Sequence, residues 1–490
     1  MGTNLRLTIG LLLALFCCQR SFGQGIILPG AGPVHRSMGG ASTAVAVDPI
    51  GAHFWNPAVL STLPDNQVGF GLELLYADTH VGSTIPAGSG PLGFPPETRS
   101  GNTRSDSGVA GAPAFGVVFH PKALPRVTMG MGLVTLAGAS VNFPGDAGNP
   151  ILSPNTPPTS NGFGPIFSSI TLLASKVNMA VKVTDRLTVG VGGTVTTTAL
   201  ALDPALFAGR NEANNDGLSS FPAATHGHPY WGGGFQLGIH YDLTEDWSLG
   251  FGYKSPIWQE TWTFRSQDEV GGALNVRLDA SIPAVYSWGV AYKGLPRTIL
   301  AADVRFIDYE NTDLFGDRVI DGGVGWQNVI AVGVGGQHQL SDRVALRLGY
   351  VYNDNPVPST LTLFNTQLPA ILQHQISVGG TIALNDYMDM NLAYIHGVQN
   401  SISGGVPQLE GADVTLDTEL HSIALGLNIR FGSKCSSRLP VPKEEPYPEV
   451  NFPMQTTNNA RFLTASPTDH GGVGLTPQGQ VPYGGAPLTQ

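Results

Sequence analysis

From His421 to Phe431 the chain alternates without a break. Ile423, Leu425, Leu427, Ile429 and Phe431 fall on one side, and Ser422, Ala424, Gly426, Asn428 and Arg430 on the other. Successive side chains of a strand point to opposite faces, so this segment has one wholly apolar face and one of small and polar groups. Such a strand, ending on an aromatic, suits the wall of an outer-membrane β-barrel, apolar towards lipid and polar towards a lumen. The same period recurs in fourteen segments: 66–79, 113–120, 126–138, 167–183, 187–202, 230–242, 246–265, 281–293, 298–309, 327–339, 343–353, 372–384, 387–397 and 418–431. Most are long enough for a tilted barrel strand, which needs about 9–11 residues.

The connections alternate in length. Short turns fall at 121–125, 184–186, 243–245, 294–296, 341–342 and 385–386, with long loops around 80–112, 139–166, 203–229, 266–280, 310–326, 354–371 and 398–417. Barrels have short periplasmic turns and long extracellular loops. Six short and seven long connections require fourteen strands with both ends in the periplasm. The fold class expected is therefore all-β, a 14-stranded antiparallel transmembrane β-barrel over 66–431.

Composition agrees with this. Charged residues make up 12% of 490, against about 25% in soluble domains. A barrel needs few charges because one face of each strand meets hydrocarbon. The net charge of -11 argues against nucleic acid as a partner. Arg6, the apolar run Leu7 to Cys18 and the small-residue site Ser21-Phe22-Gly23 read as a secretory signal peptide over 1–23. The run is short for a bilayer core of about 30 Å. Cys17-Cys18 also suggests a lipoprotein signal, but Leu15-Phe16 suits that poorly. After cleavage only Cys435 remains, so no intramolecular disulfide is expected.

Trp247, Tyr253, Trp258, Tyr292, Tyr309, Tyr350, Tyr352 and Tyr394 lie near strand ends, where an aromatic girdle would sit. Lys182, Asp303, Arg305, Arg347, Asp389 and Arg430 fall on the polar parity of their strands. Facing lipid near the midplane, a cation would cost about 2–4 kcal/mol. Facing inward, these groups can pair with each other.

Residues 24–65 are too irregular for wall. Gly30-Ala31-Gly32, Arg36-Ser37-Met38-Gly39-Gly40-Ala41 and Phe54-Trp55-Asn56-Pro57-Ala58-Val59-Leu60 combine small residues, which allow close packing, with apolar ones that must be buried. The lumen is the place available, and the segment reads as a plug, or hatch.

The run Gly32…Arg36…Met38-Gly39-Gly40-Ala41…Ala44…Asp48…Asn56-Pro57-Ala58…Leu60 resembles the N-terminal hatch of the FadL/TodX (OmpP1) family of outer-membrane transporters for hydrophobic compounds. Phe251 to Pro256, Arg347 to Pro358 and Asn385 to Gly397 resemble wall segments of the same family, and the likeness spans roughly 24–431. The resemblance implies a monomeric barrel in the outer membrane of a Gram-negative-type envelope. It implies passive uptake of hydrophobic small molecules, long-chain fatty acids or hydrocarbons, caught by the loops and released sideways past a hatch that shifts. It places Phe54, Trp55, Asn56, Pro57 and Ala58 in the ligand route. Apolar loop residues Phe163, Phe167, Leu206 and Phe207 are the candidate ligand contacts. Two alternatives stay open: a barrel of this family serving as a platform for secretion or surface anchoring, and a general porin.

The expected partners are outer-membrane lipid, a hydrophobic ligand, and the barrel-assembly machinery, which would read Gly426 to Phe431. Residues 432–490, with Pro440, Pro442, Pro446 and Pro448 and a Gly/Pro/Gln-rich end, have a disordered composition. By the strand count this tail emerges in the periplasm, where it would be a passive extension or a tether to a periplasmic partner. His226-Gly227-His228 lacks a third ligand nearby, and Gly333 to Gly336 lies inside a strand rather than in a phosphate loop. No Ser/His/Asp grouping stands out. The chain is expected to be neither an enzyme nor a holder of metal or cofactor.

Overall fold

The computed structural model describes residues 24–431 apart from 90–94, 157–159, 215–218 and 408. The expected signal segment 1–23 and tail 432–490 lie outside the described residues. The wall consists of β1 (Asn66–Ile85), β2 (Val109–Phe119), β3 (Val127–Phe143), β4 (Ile166–Lys182), β5 (Leu187–Asp203), β6 (Tyr230–Asp242) and β7 (Trp247–Lys254). It continues through β8 (Ala284–Leu295), β9 (Thr298–Asp308), β10 (Val329–Ser341), β11 (Val344–Asn353), β12 (His374–Ala383), β13 (Met388–Gly405) and β14 (Asp413–Phe431). Each strand pairs antiparallel with the next, and β14 returns to β1 in unbroken register from Asn66↔Phe431 to Thr84↔Asp413. The barrel closes with fourteen strands, as the alternation requires.

Period two sorts the side chains as two solvents demand. Phe70, Leu72 and Leu74 of β1 and Ile423 and Leu425 of β14 are exposed on the outer face. Glu73, Ser422 and Asn428 are buried on the inner one. Strand ends differ from expectation where pairing outlasts the membrane band. The first strand runs to Ile85 rather than 79, because His80 to Ile85 also pairs with the short strand Arg99–Arg104. The expected strand 246–265 is interrupted after Lys254. Pro256 has no N–H to donate to a ladder, so pairing resumes only at Ile257–Gln259. Trp262–Gln267 then forms a loop hairpin with Ala273–Leu278. Tyr309 leaves the expected girdle. It lies just beyond the end of β9, where the chain folds over the lumen, and is wholly buried against Phe315 and Trp326.

The interior has two zones. Towards the long loops the lining is apolar: Ile166, Ile170 and Leu172 of β4, Leu200 and Leu202 of β5, Val285 of β8, Ile307 of β9 and Leu416 of β14 are buried in one cluster. Towards the short turns the same faces carry Lys176, Gln236, Asp303, Arg305, Gln337, Arg347, Asp389 and Asn391, all buried. Of the inward charges expected, Asp303 meets Arg305 at 3.3 Å and Asp389 meets Arg430 at 2.7 Å. Arg347 donates instead to Gln337 (2.6 Å) and Thr381 (2.7 Å). Lys182 stands exposed at the short-turn mouth.

Candidate functional site

Residues 24–65 fill the lumen at the boundary between the two zones. Pro33 starts a six-residue helix, Gly32–Ser37. Gly39 and Gly40 then reverse the chain at φ 63° and 64°. A Cβ on Gly40 would stand 1.9 Å from Pro29 O, so only glycine fits there. Two short 3₁₀ turns follow. Asp48 begins the first, accepting from the N–H of Ile50 (3.2 Å) and Gly51 (3.1 Å). Asn56 caps the second, Pro57–Thr62, accepting from Ala58 N at 2.9 Å.

Buried polar groups of the wall hold this segment. Arg36 donates through Nε to both oxygens of Glu73 (3.0 and 3.1 Å), and Ser422 Oγ donates to the same carboxylate at 2.6 Å. Asp303 accepts from Ser42 N (2.9 Å), Thr43 N (3.0 Å) and Thr43 Oγ1 (2.8 Å). Charge-assisted bonds of this kind are about twice as strong as neutral ones. They fix the hatch at two points on nearly opposite parts of the strand order, β1 with β14 and β9.

The sequence-expected segment Phe54 to Ala58 is wholly buried. Phe54 and Trp55 meet edge to face at 4.7 Å and stand among three basic side chains. Lys254 Nζ lies 3.9 Å from the Trp55 ring and 4.4 Å from that of Phe54, and Arg305 lies 4.4 Å from Trp55. Lys176 Nζ donates to Phe54 O at 3.3 Å and to Gln236 Oε1 at 3.0 Å. Lys176 and Lys254 occupy inward positions of β4 and β7. The parity rule that singles out Lys182 and Arg305 would have found them too.

Asn56, Pro57 and Ala58 press on β5 and β6, where wall glycines make room. A Cβ on Gly238 would meet Asn56 Oδ1 at 1.9 Å, and one on Gly190 would meet Ala58 N at 2.4 Å. Gly238→Val should therefore push the second 3₁₀ turn off the wall, at about the 1–3 kcal/mol typical of overpacking. The expected result is a raised single-channel conductance from a barrel that still migrates as folded. Gly193→Ala, on the lipid face with nothing within 4 Å of the new Cβ, serves as the control and should leave conductance unchanged.

The backbone ladder of the wall stops short between β2 and β3. Their ladder runs from Phe119↔Met129 only to Ala114↔Val134. Beyond it Pro113 offers no N–H, and β3 bulges between Thr135 and Ala137. Thr135 Oγ1 still donates to Pro113 O at 3.2 Å, and backbone bonding resumes only where Asp106 N donates to Asn142 O at 2.7 Å, near the loop end. The free edge of β3 is taken by the start of the hatch. Leu28 N donates to Leu136 O (3.0 Å), Gly138 N donates to Ile26 O (3.3 Å), and Ile27 pairs with Ala137. Ile26 to Leu28 are therefore the residues at the gap, while Asn56 to Ala58 contact β5 and β6 across the lumen floor.

Over the apolar zone, Leu206 and Phe207 line a small cavity of about 50 Å³ with Ile170, Leu314, Phe364 and Leu368. Phe163 packs beside Phe221, ring centroids 6.1 Å apart, at the margin of the same core. Phe167 lies on the opposite parity of β4 from the inward Ile166 and Ser168 and does not line the cavity. Beneath the hatch lies a polar cavity of about 380 Å³ lined by Gln337, Arg347, Thr381, Asp389, Asn391 and Arg430.

Comparison with known proteins places this arrangement. A family model described as "Outer membrane protein transport protein (OMPP1/FadL/TodX)" matches residues 30–432. Among solved structures, the toluene transporter TodX of P. putida shares 18% identity, with a TM-score of 0.60 over 83% of this chain and all of its own. The toluene transporter TbuX of Ralstonia pickettii gives 18% identity and a TM-score of 0.60, covering 83% of this chain and 99% of its own. A FadL homologue of Pseudomonas aeruginosa gives 15% identity and a TM-score of 0.62, covering 83% of this chain and 100% of its own. At these identities the likeness shows the fold. A search of curated protein sequences returned no match.

Proposed function

Because this chain belongs to the OMPP1/FadL/TodX family of outer-membrane transport proteins, we propose that it passes hydrophobic small molecules inward without energy input and releases them sideways between β2 and β3. The observation that carries this reading is the two-zone lumen. Burial of an acyl chain gains about 0.8 kcal/mol per CH₂, and the apolar zone above the hatch supplies that environment. Continuing straight down would carry the chain past Asp303, Arg305, Arg347 and Asp389, giving up that gain and breaking buried ion pairs. The gap at β2 and β3 adjoins the apolar zone and faces lipid. It is covered by three residues, Ile26 to Leu28, held on β3 by two backbone hydrogen bonds. Displacing so short a segment is a far smaller change than moving the whole hatch.

The cargo within this class is an amphipathic carboxylate, a long-chain fatty acid, in preference to a neutral hydrocarbon. Lys176, Lys254 and Arg305 surround Phe54 and Trp55 at the floor of the apolar zone, and Asp303 is the carboxylate paired among them. Two lysines and an arginine set against one carboxylate suit an anionic head whose tail lies upward in the apolar lumen. TodX and TbuX are described as toluene transporters, so both ligand types belong in the test.

Lys254→Met keeps the volume and removes the charge, a change that buried sites often tolerate. In a Gram-negative host lacking its own fatty-acid transporter, this variant should take up labelled oleate about tenfold more slowly, the loss of roughly one charge-assisted contact worth about 1.4 kcal/mol. Toluene uptake should be unchanged. Equal effects on both ligands, or none on oleate, would remove the head-group assignment and leave the hydrocarbon reading.

A further inference from the structure

The outer face of the wall carries a cluster unrelated to the lumen. The register of β13 and β14 sets His396 directly opposite His421, and period two puts Glu419 on the same face as His421. His421 Nε2 lies 3.4 Å from Glu419 Oε1, and His396 Nδ1 lies 3.8 Å from the same oxygen. One ligand atom from each of the three residues lies within 4.8 Å of the others. The two imidazole rings stack with centroids 5.1 Å apart and an interplanar angle of 29°.

The Tyr394 hydroxyl lies 2.8 Å from His421 Nδ1, which turns the other ring nitrogen, Nε2, towards Glu419. His396 Nδ1 is shielded from solvent and makes no hydrogen bond. It points at the same carboxylate oxygen without satisfying itself there.

We propose that His396, Glu419 and His421 bind one divalent transition-metal ion of the zinc class. Imidazole nitrogen and carboxylate oxygen bind zinc at about 2.0–2.2 Å, so tetrahedral ligand atoms stand roughly 3.4 Å apart. Both distances to the carboxylate are close to that value, and the imidazole nitrogens close the remainder by small side-chain rotations. Tyr394 is the outer partner that fixes ring orientation, the role such a group has at most histidine-bound metals. Three protein donors leave a fourth position for water.

The place in the fold makes the site reachable. On β14 the residues below the cluster, Ile423 and Leu425, are exposed and apolar. Glu419 of the cluster and Asp417 above it are polar on the same outer face, so the cluster sits where the lipid band ends on the loop side. A bound ion there would tie β13 to β14, one strand away from the seam where β14 meets β1. His226 and His228, the pair visible in sequence, are in a loop and belong to no such group of three among the described residues.

The test uses the full processed chain, folded in detergent, and Zn²⁺ as the probe. Calorimetry should find one equivalent bound, and Co²⁺ in its place should give the visible absorption of a low-symmetry site. His421→Ala and Glu419→Gln should each weaken Zn²⁺ binding at least tenfold. Tyr394→Phe should weaken it by about tenfold through lost orientation. The double variant His226→Ala/His228→Ala should bind as the parent does. Heat-modifiable gel migration, which reports a folded barrel, qualifies every variant before titration. A folded parent that takes up no Zn²⁺ would overturn the proposal. So would affinity indifferent to the cluster variants, or affinity lost with His226 and His228.

Discussion

Arg36→Ala turns a plugged barrel into a leaking one. The guanidinium and Glu73 are each about 2% exposed, and the pair joins the hatch helix to β1. Removing one partner of a buried ion pair costs about 3–5 kcal/mol, because the other charge is left without compensation. The wall does not depend on this contact, since its strands are held by continuous ladders that close between β1 and β14. The cost therefore falls on the hatch, which can escape it by leaving Glu73 to water. In planar bilayers the parent should show little steady current, and Arg36→Ala should show frequent open events and a several-fold higher mean conductance. Arg36→Ala/Glu73→Gln removes the stranded charge as well and should recover most of the closed behaviour. An Arg36→Ala barrel that stays closed would mean that the remaining wall contacts, those of Asp303 and Lys176 among them, hold the hatch without Arg36.

Joining Ile27 to Ala137 should stop uptake reversibly. These residues face each other across the bridge between the start of the hatch and β3. Cα atoms of directly opposed antiparallel residues lie about 4.5–5.5 Å apart, inside the range a disulfide accepts. Ile27→Cys/Ala137→Cys, built in a Cys435→Ser background so that no other thiol remains in the chain after residue 23, would pin the cover over the gap. Oxidised cells should take up oleate no faster than the host without the barrel, and a membrane-permeant reductant should restore the parent rate. Each single cysteine variant should be insensitive to oxidant. Full uptake by the oxidised double variant would show that ligand does not need this segment to move.

Much of the architecture was legible because two solvents act on every strand. Lipid on one face and a polar lumen on the other impose period two, so Ile423 to Phe431 and Ser422 to Arg430 separate by parity alone. The same reasoning turned Asp303, Arg305, Arg347 and Asp389 inward. Residues 24–65 could be assigned to the lumen because nothing else could bury Phe54, Trp55 and Leu60.

What escaped was set by contacts between distant residues. Pro113, like Pro256, marks a place where a ladder can stop, but nothing near it shows that the hatch rather than β2 completes β3 there, and the bulge at Thr135 and Ala137 has no glycine of its own. Ile26 to Leu28 are too few to show a strand period, and they acquire one only by meeting β3. The loop cavity joins Leu206 and Phe207 to Leu314, Phe364 and Leu368 from two other loops, whose irregular backbones carry no periodic signal. Phe167 was misleading for a local reason: at the mouth of β4, one step of parity decides between lumen and exterior. Pro256 was a readable signal for the interruption after β7, since a residue without an N–H seldom sits within a continuous ladder.

A photoreactive ligand reads the sideways route most directly. A fatty acid carrying a diazirine near its tail would be supplied to cells expressing the unmodified chain, irradiated during uptake, and its attachment sites mapped by mass spectrometry. Labels are expected on the apolar lining and then at the gap, on Ile27, Val109, Pro113 and Leu133, with the lower cavity unlabelled. Labels on Gln337, Thr381 and Asn391, with none at β2 and β3, would mean that ligand passes straight through the hatch and would contradict the sideways route.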